Sequence, residues 1–450
     1  MLQVVGIVAF VFAILFSIAW HELGHFIPAK KFGVKVTQYM IGFGPSLWSK
    51  KKGETEYGVK AIPFGGYIRM IGMFPPGPDG KVRASSTGRL TAMIEDARNQ
   101  AQEEVLTPED EKRTFYRLSV PKKLVVMMGG PVMNLILAFI LFTIVLVGFG
   151  TPATTLSVSE VTACTPAVSA GKVTLGCAPG SVASPAATAG LKSGDVITSF
   201  NGTPMDSWQQ FSEAIRESPA GPATIGVTRD GQPVNLNTTI QVVDRPVVVD
   251  GQPTKDLAPQ GFLGMSPEVV LEPQPVTAVP GQMWDLSIRT AQALIAIPSK
   301  IIGVGQAAFG GEERDPNGPI GVVGVTRISG DVAAAEAPAN FKIVQFLGMV
   351  ASLNLFLFLF NLIPLLPLDG GHVAGALWEG GRRQIARFRH RPDPGPVDVA
   401  RALPVAYAVA FLLHILLNQT KKVTLGGKRI LLRIWNVIYQ VLVLRFHQYS

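Results

Sequence analysis

The sequence predicts a polytopic α-helical membrane protein, with about four transmembrane helices, a membrane-associated β-hairpin region and an extracytoplasmic α+β domain. Three observations carry the helical membrane part of that prediction, and the membrane association of the hairpin follows from a family resemblance given below. Long apolar runs stand at 2–20, 124–149, 343–368 and 402–417. The 450 residues are 47% hydrophobic and only 16% charged, with a mean hydropathy of +0.30; that balance fits a membrane protein carrying water-exposed parts. Lys and Arg gather in particular intervals between the runs instead of spreading evenly. The net charge of +8 follows from this, because cytoplasmic loops of multispanning proteins collect basic residues. No Lys/Arg stripe with interleaved aromatics is present, so no nucleic-acid partner is expected.

The first run has no basic residue before it and no small-residue cleavage site, so it reads as a retained transmembrane helix, not a signal peptide. Its ~19 residues at ~1.5 Å each nearly match the ~30 Å hydrocarbon layer. It ends in His21-Glu22-Leu23-Gly24-His25. The interval 26–123 opens with short alternating segments, Thr37–Trp48 and Ile62–Arg69, punctuated by Gly and Pro, which predicts strands and hairpins. From Pro75 to Lys123 it turns polar, a flexible or helical insertion on the same side. This interval carries Lys30, Lys31, Lys35, Lys50, Lys51, Lys52, Lys60 and Arg69, and the loop after the third run carries Arg382, Arg383, Arg387, Arg389 and Arg391. The positive-inside rule therefore places the N-terminus outside, both basic loops inside and 150–342 outside.

Within 150–342, the stretch Ala189–Met205 reads as a short helix, a Gly194-Asp195 turn, a strand and an Asn201-Gly202 hairpin turn. A helix over 207–217 and a strand over 223–229 follow. Gly190, Gly194 and Asp195 set backbone geometry at the turn. Cys164 and Cys177 lie in this outer region, where a disulfide and two partly buried thiols are equally open, since spacing alone does not fix geometry. The tail, 421–450, is too interrupted for a span. It reads as an interfacial amphipathic helix with basic ends, and its charge runs against the predicted topology.

His21 and His25 stand four apart and share a helix face. Two imidazoles at that spacing can hold one zinc ion, with the intervening Glu22 as general base. A Glu and two His at bilayer depth are costly without a function. Catalytic zinc takes three protein ligands, and no further His or Glu follows at the spacing of soluble enzymes of this kind. Asp369, at the end of the third run and on the same inner side, is the best source. Asn361, Pro364 and Pro367 before it interrupt the helix and open backbone groups inside the membrane. His372 fits a structural role better than a ligand role. Gly129 and Gly130 permit close helix approach, and Asn134 is either a bond across spans or an ordinary buried amide.

Taken together, His21-Glu-Leu-Gly-His25, Gly129-Gly-Pro-Val-Met-Asn134, the Ala189–Met205 pattern and Asn361-Leu-Ile-Pro-Leu-Leu-Pro-Leu-Asp-Gly-Gly371 resemble the site-2 protease family, M50-type intramembrane zinc metalloproteases. The resemblance is to the bacterial type with a PDZ domain between the second and third spans. It implies Zn2+ held by His21, His25 and Asp369, with Glu22 as base. It implies a membrane-re-entrant hairpin near Gly42–Tyr67 that handles substrate through Gly65, Gly66 and Tyr67, with Asn361 and Pro364 also on the substrate. The implied domains are 1–150 and 343–420 as halves of the protease core, 151–270 as PDZ and 271–342 as a linker with amphipathic helices, leaving 421–450 atypical. The implied partners are the lipid bilayer and single-span membrane proteins such as anti-sigma factors or signal-peptide remnants. The implied place is the bacterial plasma membrane, with the PDZ domain outside and the active site near the cytoplasmic face. The PDZ domain would bind a C-terminal carboxylate or exclude bulky ectodomains. Two other readings are an adaptor with an inactive core and a membrane-anchored zincin with a solvent-facing site.

Overall fold

The apolar N-terminal run continues without a break through the His-Glu pattern, and the computed structural model makes one helix of both. It describes residues 1–75, 108–165, 167–169, 172–174, 177, 181–249, 252–296, 322–366 and 368–399. The fourth apolar run, the tail, Pro367 and most of the polar insertion lie outside these. Among the described residues three helices are long and apolar enough to cross a membrane: Leu2–Lys31, Val120–Phe149 and Ala339–Asn361.

Helix α1 (Leu2–Lys31) runs on past His25, so the His21–His25 pattern sits inside the helix and not at its end as expected. Pro28 is tolerated within it. A proline lacks the N–H that would bond to residue i−4, here Gly24. The Gly24 carbonyl is packed instead against Gly129, and a Cβ on Gly129 would collide with it. Along α1, Val4, Val5, Phe12 and Phe16 are exposed, whereas Ser17, His21, Glu22 and His25 are buried. Apolar outside and polar inside is the arrangement a bilayer solvent selects.

Strands β1 (Val36–Lys52) and β2 (Thr55–Met70) form the expected hairpin, longer than 42–67. The ribbon is folded over on itself. Tyr39 lies opposite both Ile68 and Tyr57, while Trp48 through Lys52 pair with Val59 through Thr55. Gly42, Gly44 and Gly65, all with positive φ, mark the bends. The Tyr39 hydroxyl donates to the Ala19 carbonyl at 2.6 Å, fixing the ribbon to α1.

Helix α2 (Val120–Thr143) widens into a π-helical turn at Ile144–Phe149. The chain then folds as a separate unit, Leu146–Gln274. Its main strands are β3 (Thr151–Val161), β4 (Val196–Phe200), β5 (Gly221–Arg229), β6 (Gln232–Val249), β7 (Gln252–Phe262) and β8 (Met265–Glu272). They form one sheet in the order β7-β6-β5-β4-β3-β8, so the first and last strands of the unit pair. Helix α3 (Trp208–Glu217) buries Phe211 and Ile215 against Ile197, Phe200 and Ile225. Its N-cap Ser207 accepts from the Gln210 amide, satisfying an end donor. Asn201 and Gly202 both adopt positive φ, as a type I′ hairpin turn requires. Cys164 and Cys177 form a disulfide.

In the other unit, the expected linker contains helices α4 (Ala278–Ile295) and α5 (Val322–Ala334). Helix α6 (Ala339–Asn361) stops well before the end of the third apolar run. The chain turns at 362–366, and α7 (Asp369–Phe388) begins. The run is therefore a span, a turn and a helix start, not one span to Leu368. Pro364 removes a helical donor in that turn.

Candidate metal centre and active site

Asp369 is the first residue of α7, where a helix N-terminus favours negative charge. Gly370 and Gly371 make the turn before it feasible. A Cβ on Gly370 would collide with the Leu362 and Ile363 carbonyls, and one on Gly371 would press on the Leu366 amide. The turn therefore packs tightly on α7 and delivers the Asp369 carboxylate to α1.

There it meets both imidazoles. Asp369 Oδ2 lies 3.2 Å from His21 Nε2 and 3.4 Å from His25 Nε2. The two Nε2 atoms are 3.2 Å apart. Tetrahedral zinc with bonds of about 2.0–2.1 Å sets its ligand atoms about 3.3–3.4 Å apart. The triangle therefore has the size that zinc demands, and its donor set of two imidazoles and a carboxylate is one zinc takes. Asp369 Oδ2 is a buried oxygen without a hydrogen-bond donor among the described residues, which a cation at the centre of the triangle would satisfy. Glu22 is 1% exposed, and its Oε2 has no hydrogen-bond partner among the described residues.

Helix α2 forms the opposite wall. The Val126 carbonyl is 2.8 Å from His25 Nδ1, and the Asn134 amide is 3.1 Å from His21 Nδ1. A Cβ on Gly130 would collide with both rings. The Trp20 indole donates to the Met133 carbonyl at 2.8 Å, fixing the α1–α2 register. His372 is buried beside the Phe74 ring.

Of the three expected hairpin residues, the structure places Gly66 at this centre. Gly66 stands against α1: a Cβ there would meet Ile18 at 2.8 Å and the Glu22 Cγ at 3.2 Å. Gly65, at φ +104°, makes the bend just before it. Tyr67 is buried, stacked on Phe43, with its hydroxyl donating to Gln38 Oε1. Asn361 is buried at the last turn of α6. Pro364 lines a cavity of about 460 Å³ with Leu366, Gly371, Gly375, Trp378 and Val399.

Sequence reasoning did not anticipate two buried contacts. Lys123 on α2 pairs with Glu379 on α7 at 2.7 Å. Asn354 on α6 donates to Ser17 on α1 at 2.9 Å. The only signal for either was a polar residue within or beside an apolar helix, and that signal does not name the partner.

The family model for "Peptidase family M50" matches residues 9–391. The zinc metalloprotease Rip1 of Mycobacterium tuberculosis is 35% identical over 436 residues, covering 93% of this chain and 97% of that protein. Rip1 of Mycolicibacterium smegmatis is 33% identical over 419 residues, covering 90% and 93%. The metalloprotease MmpA of Caulobacter vibrioides is 28% identical over 403 residues, covering 85% and 88%. With a buried His-His-Asp centre of zinc dimensions and a match along most of its length, this chain belongs to peptidase family M50.

Proposed function

We propose that the protein is a zinc-dependent intramembrane endopeptidase that cuts the transmembrane segments of single-span membrane proteins. The observation that carries this is the triangle of His21, His25 and Asp369 beside the buried Glu22, on a helix whose outer face is apolar. His21, His25 and Asp369 hold the metal. Zinc, when bound, supplies the Lewis acidity that activates water and polarises a carbonyl.

The chain's own residues do the rest. Glu22 Oε2 accepts the proton of the attacking water and returns it to the leaving amine. Glu22 is buried, and its Oε2 has no hydrogen-bond partner among the described residues, which leaves that oxygen available for the task. A substrate helix hides its peptide bonds, so it must unwind before attack. The β2 segment Gly65-Gly66-Tyr67, whose Gly66 stands at Glu22, offers backbone partners to the unwound strand, and the Asn361 amide holds a freed carbonyl. Pro364 shapes the turn that places Asp369 and lines the cavity at its flank. The Leu146–Gln274 unit is read as the PDZ domain on the outer side, with the metal centre near the cytoplasmic face of a bacterial plasma membrane. Anti-sigma factors and signal-peptide remnants fit as substrates in regulated intramembrane proteolysis.

The test replaces Glu22 by Gln in purified full-length protein and follows cleavage of a single-span substrate together with zinc content. Zinc is expected to stay bound while cleavage falls by about 10²–10⁴-fold, the usual worth of a general base. Unchanged cleavage would overturn the proposal. Asp369→Ala is expected to lose zinc and cleavage together.

A further inference from the structure

Val126, Gly130 and Asn134 follow one another at i, i+4 and i+8 on α2, so they share a face. Each of them meets an imidazole of α1. This face does more than pack.

Both imidazoles must satisfy one requirement. Their Nε2 atoms point at each other and at Asp369 Oδ2. An Nε2 that ligates metal gives up its lone pair, so the ring proton must sit on Nδ1 and needs an acceptor. His25 has one in the Val126 carbonyl, at 2.8 Å. His21 faces Asn134, whose Nδ2 lies 3.1 Å from Nδ1. An amide nitrogen cannot accept. It pairs only with a ring protonated on Nε2, and that tautomer cannot give Nε2 to a metal. The Asn134 side chain is 1% exposed, and its Oδ1 has no hydrogen-bond partner among the described residues. A half-turn of the amide exchanges its two ends almost isosterically. It brings the unpartnered oxygen onto His21 Nδ1.

We propose that Asn134 is a positioning residue for the metal centre: through Oδ1 it accepts the Nδ1–H of His21 and fixes the tautomer that ligates. The α2 face then serves the two ligands in parallel, with a backbone acceptor for one, a side-chain acceptor for the other and no side chain between them at Gly130. The inference rests on the reading of His21, His25 and Asp369 as the zinc site.

Zinc dissociation constants, measured by chelator competition on full-length protein in detergent, test it with Asn134→Leu, Asn134→Asp and His21→Ala. Asn134→Leu keeps the branched shape but offers no acceptor, and affinity is expected to fall about 10–100-fold, the usual cost of losing such a partner. Asn134→Asp keeps an oxygen toward Nδ1, and binding is expected to stay within a few-fold of wild type or to tighten. A purely packing role predicts the opposite order, because a carboxylate is the worse substitute in an apolar interior. Asn134→Ala gives the same comparison should the leucine variant not fold. Wild-type affinity in the leucine or alanine variant, or weaker binding in the aspartate variant than in the leucine variant, overturns the inference alone. Wild-type protein that binds no zinc, or binding untouched by His21→Ala, overturns the metal-site reading and the inference with it.

Discussion

Gly130 leaves empty the space that the two imidazoles of α1 fill. Its neighbour Gly129 does something different, meeting the Gly24 backbone so closely that neither position accepts a side chain. The sequence reading gave both glycines one role, close approach of helices. The structure separates them, because one points at a backbone and the other at the His21 and His25 rings. The two roles predict different outcomes. Alanine at Gly130 raises intrinsic helix propensity by about 1 kcal/mol, yet its Cβ must displace His25 Nε2 and the His21 ring. Gly130→Ala is therefore expected to weaken zinc binding about tenfold or more, in the range of lost ligand orientation, read by chelator competition. Unaltered affinity would show that the rings have room to move. At the same scale, the convergence of His21, His25 and Asp369 was legible from residue type and membrane side. Asn134 was visible as a candidate, but its partner was not, since a helix sequence does not name the residue it faces.

Between elements, the decisive link is the one that holds α7 to α2. Asp369 opens α7, and further along the same helix Glu379 pairs with Lys123 of α2 at 2.7 Å, both side chains almost fully buried. Arg383 lies 3.1 Å from the other Glu379 oxygen, and the Val397 amide donates to the same carboxylate. Removing one member of a buried pair leaves an uncompensated charge, which costs about 3–5 kcal/mol, while replacing both by apolar residues costs far less. Lys123→Met leaves Glu379 with Arg383 and the Val397 amide, so it is expected to destabilise by less than that amount, with part of the loss recovered in Lys123→Met/Glu379→Leu, as measured by denaturant unfolding in detergent. A loss in the double variant equal to the sum of the losses in the two single variants would mean that the pair is not coupled. Element boundaries were the least legible part of the chain. The HELGH residues looked like a helix end because hydrophobicity stops there, but α1 continues to Lys31. The third run looked like one span because its residues stay apolar, but the helix ends at Asn361. Hydropathy reports solvent, and helix ends are set by backbone hydrogen bonds and tight turns.

As a whole molecule the chain is two units with separate cores. The Leu146–Gln274 unit contains its own charged anchor. Asp195 is buried, accepts from the Lys192 amide and pairs with Arg229 at 2.7 Å. The Arg229 guanidinium beside it holds its carboxyl below the usual carboxylate range. The folded state thus prefers the ionised form more than the unfolded state does. That contribution is complete above the unfolded value of about 3.9 and is lost as pH falls through the lower folded value. Amide-exchange protection in 181–249 of the full-length protein is therefore expected to decline below about pH 4, and Asp195→Asn is expected to lower protection at neutral pH and flatten that acid dependence. An acid profile identical in the two proteins would remove the pair from the unit's stability. By itself, the sequence determined the membrane class, the hairpin, the Asn201-Gly202 turn and the residue types at the candidate metal centre. Each of these is local chemistry: apolar length, strand alternation, a left-handed turn and imidazole spacing. Only the tertiary structure decided which helix faces meet, that Cys164 bonds Cys177, that Gly66 stands at Glu22 and that α2 presents Val126, Gly130 and Asn134 to the two histidines. Apart from the disulfide, whose cysteines stand 13 apart and whose geometry spacing does not fix, those are relations between segments distant in the chain, and packing sets them, so no window along the sequence contains them.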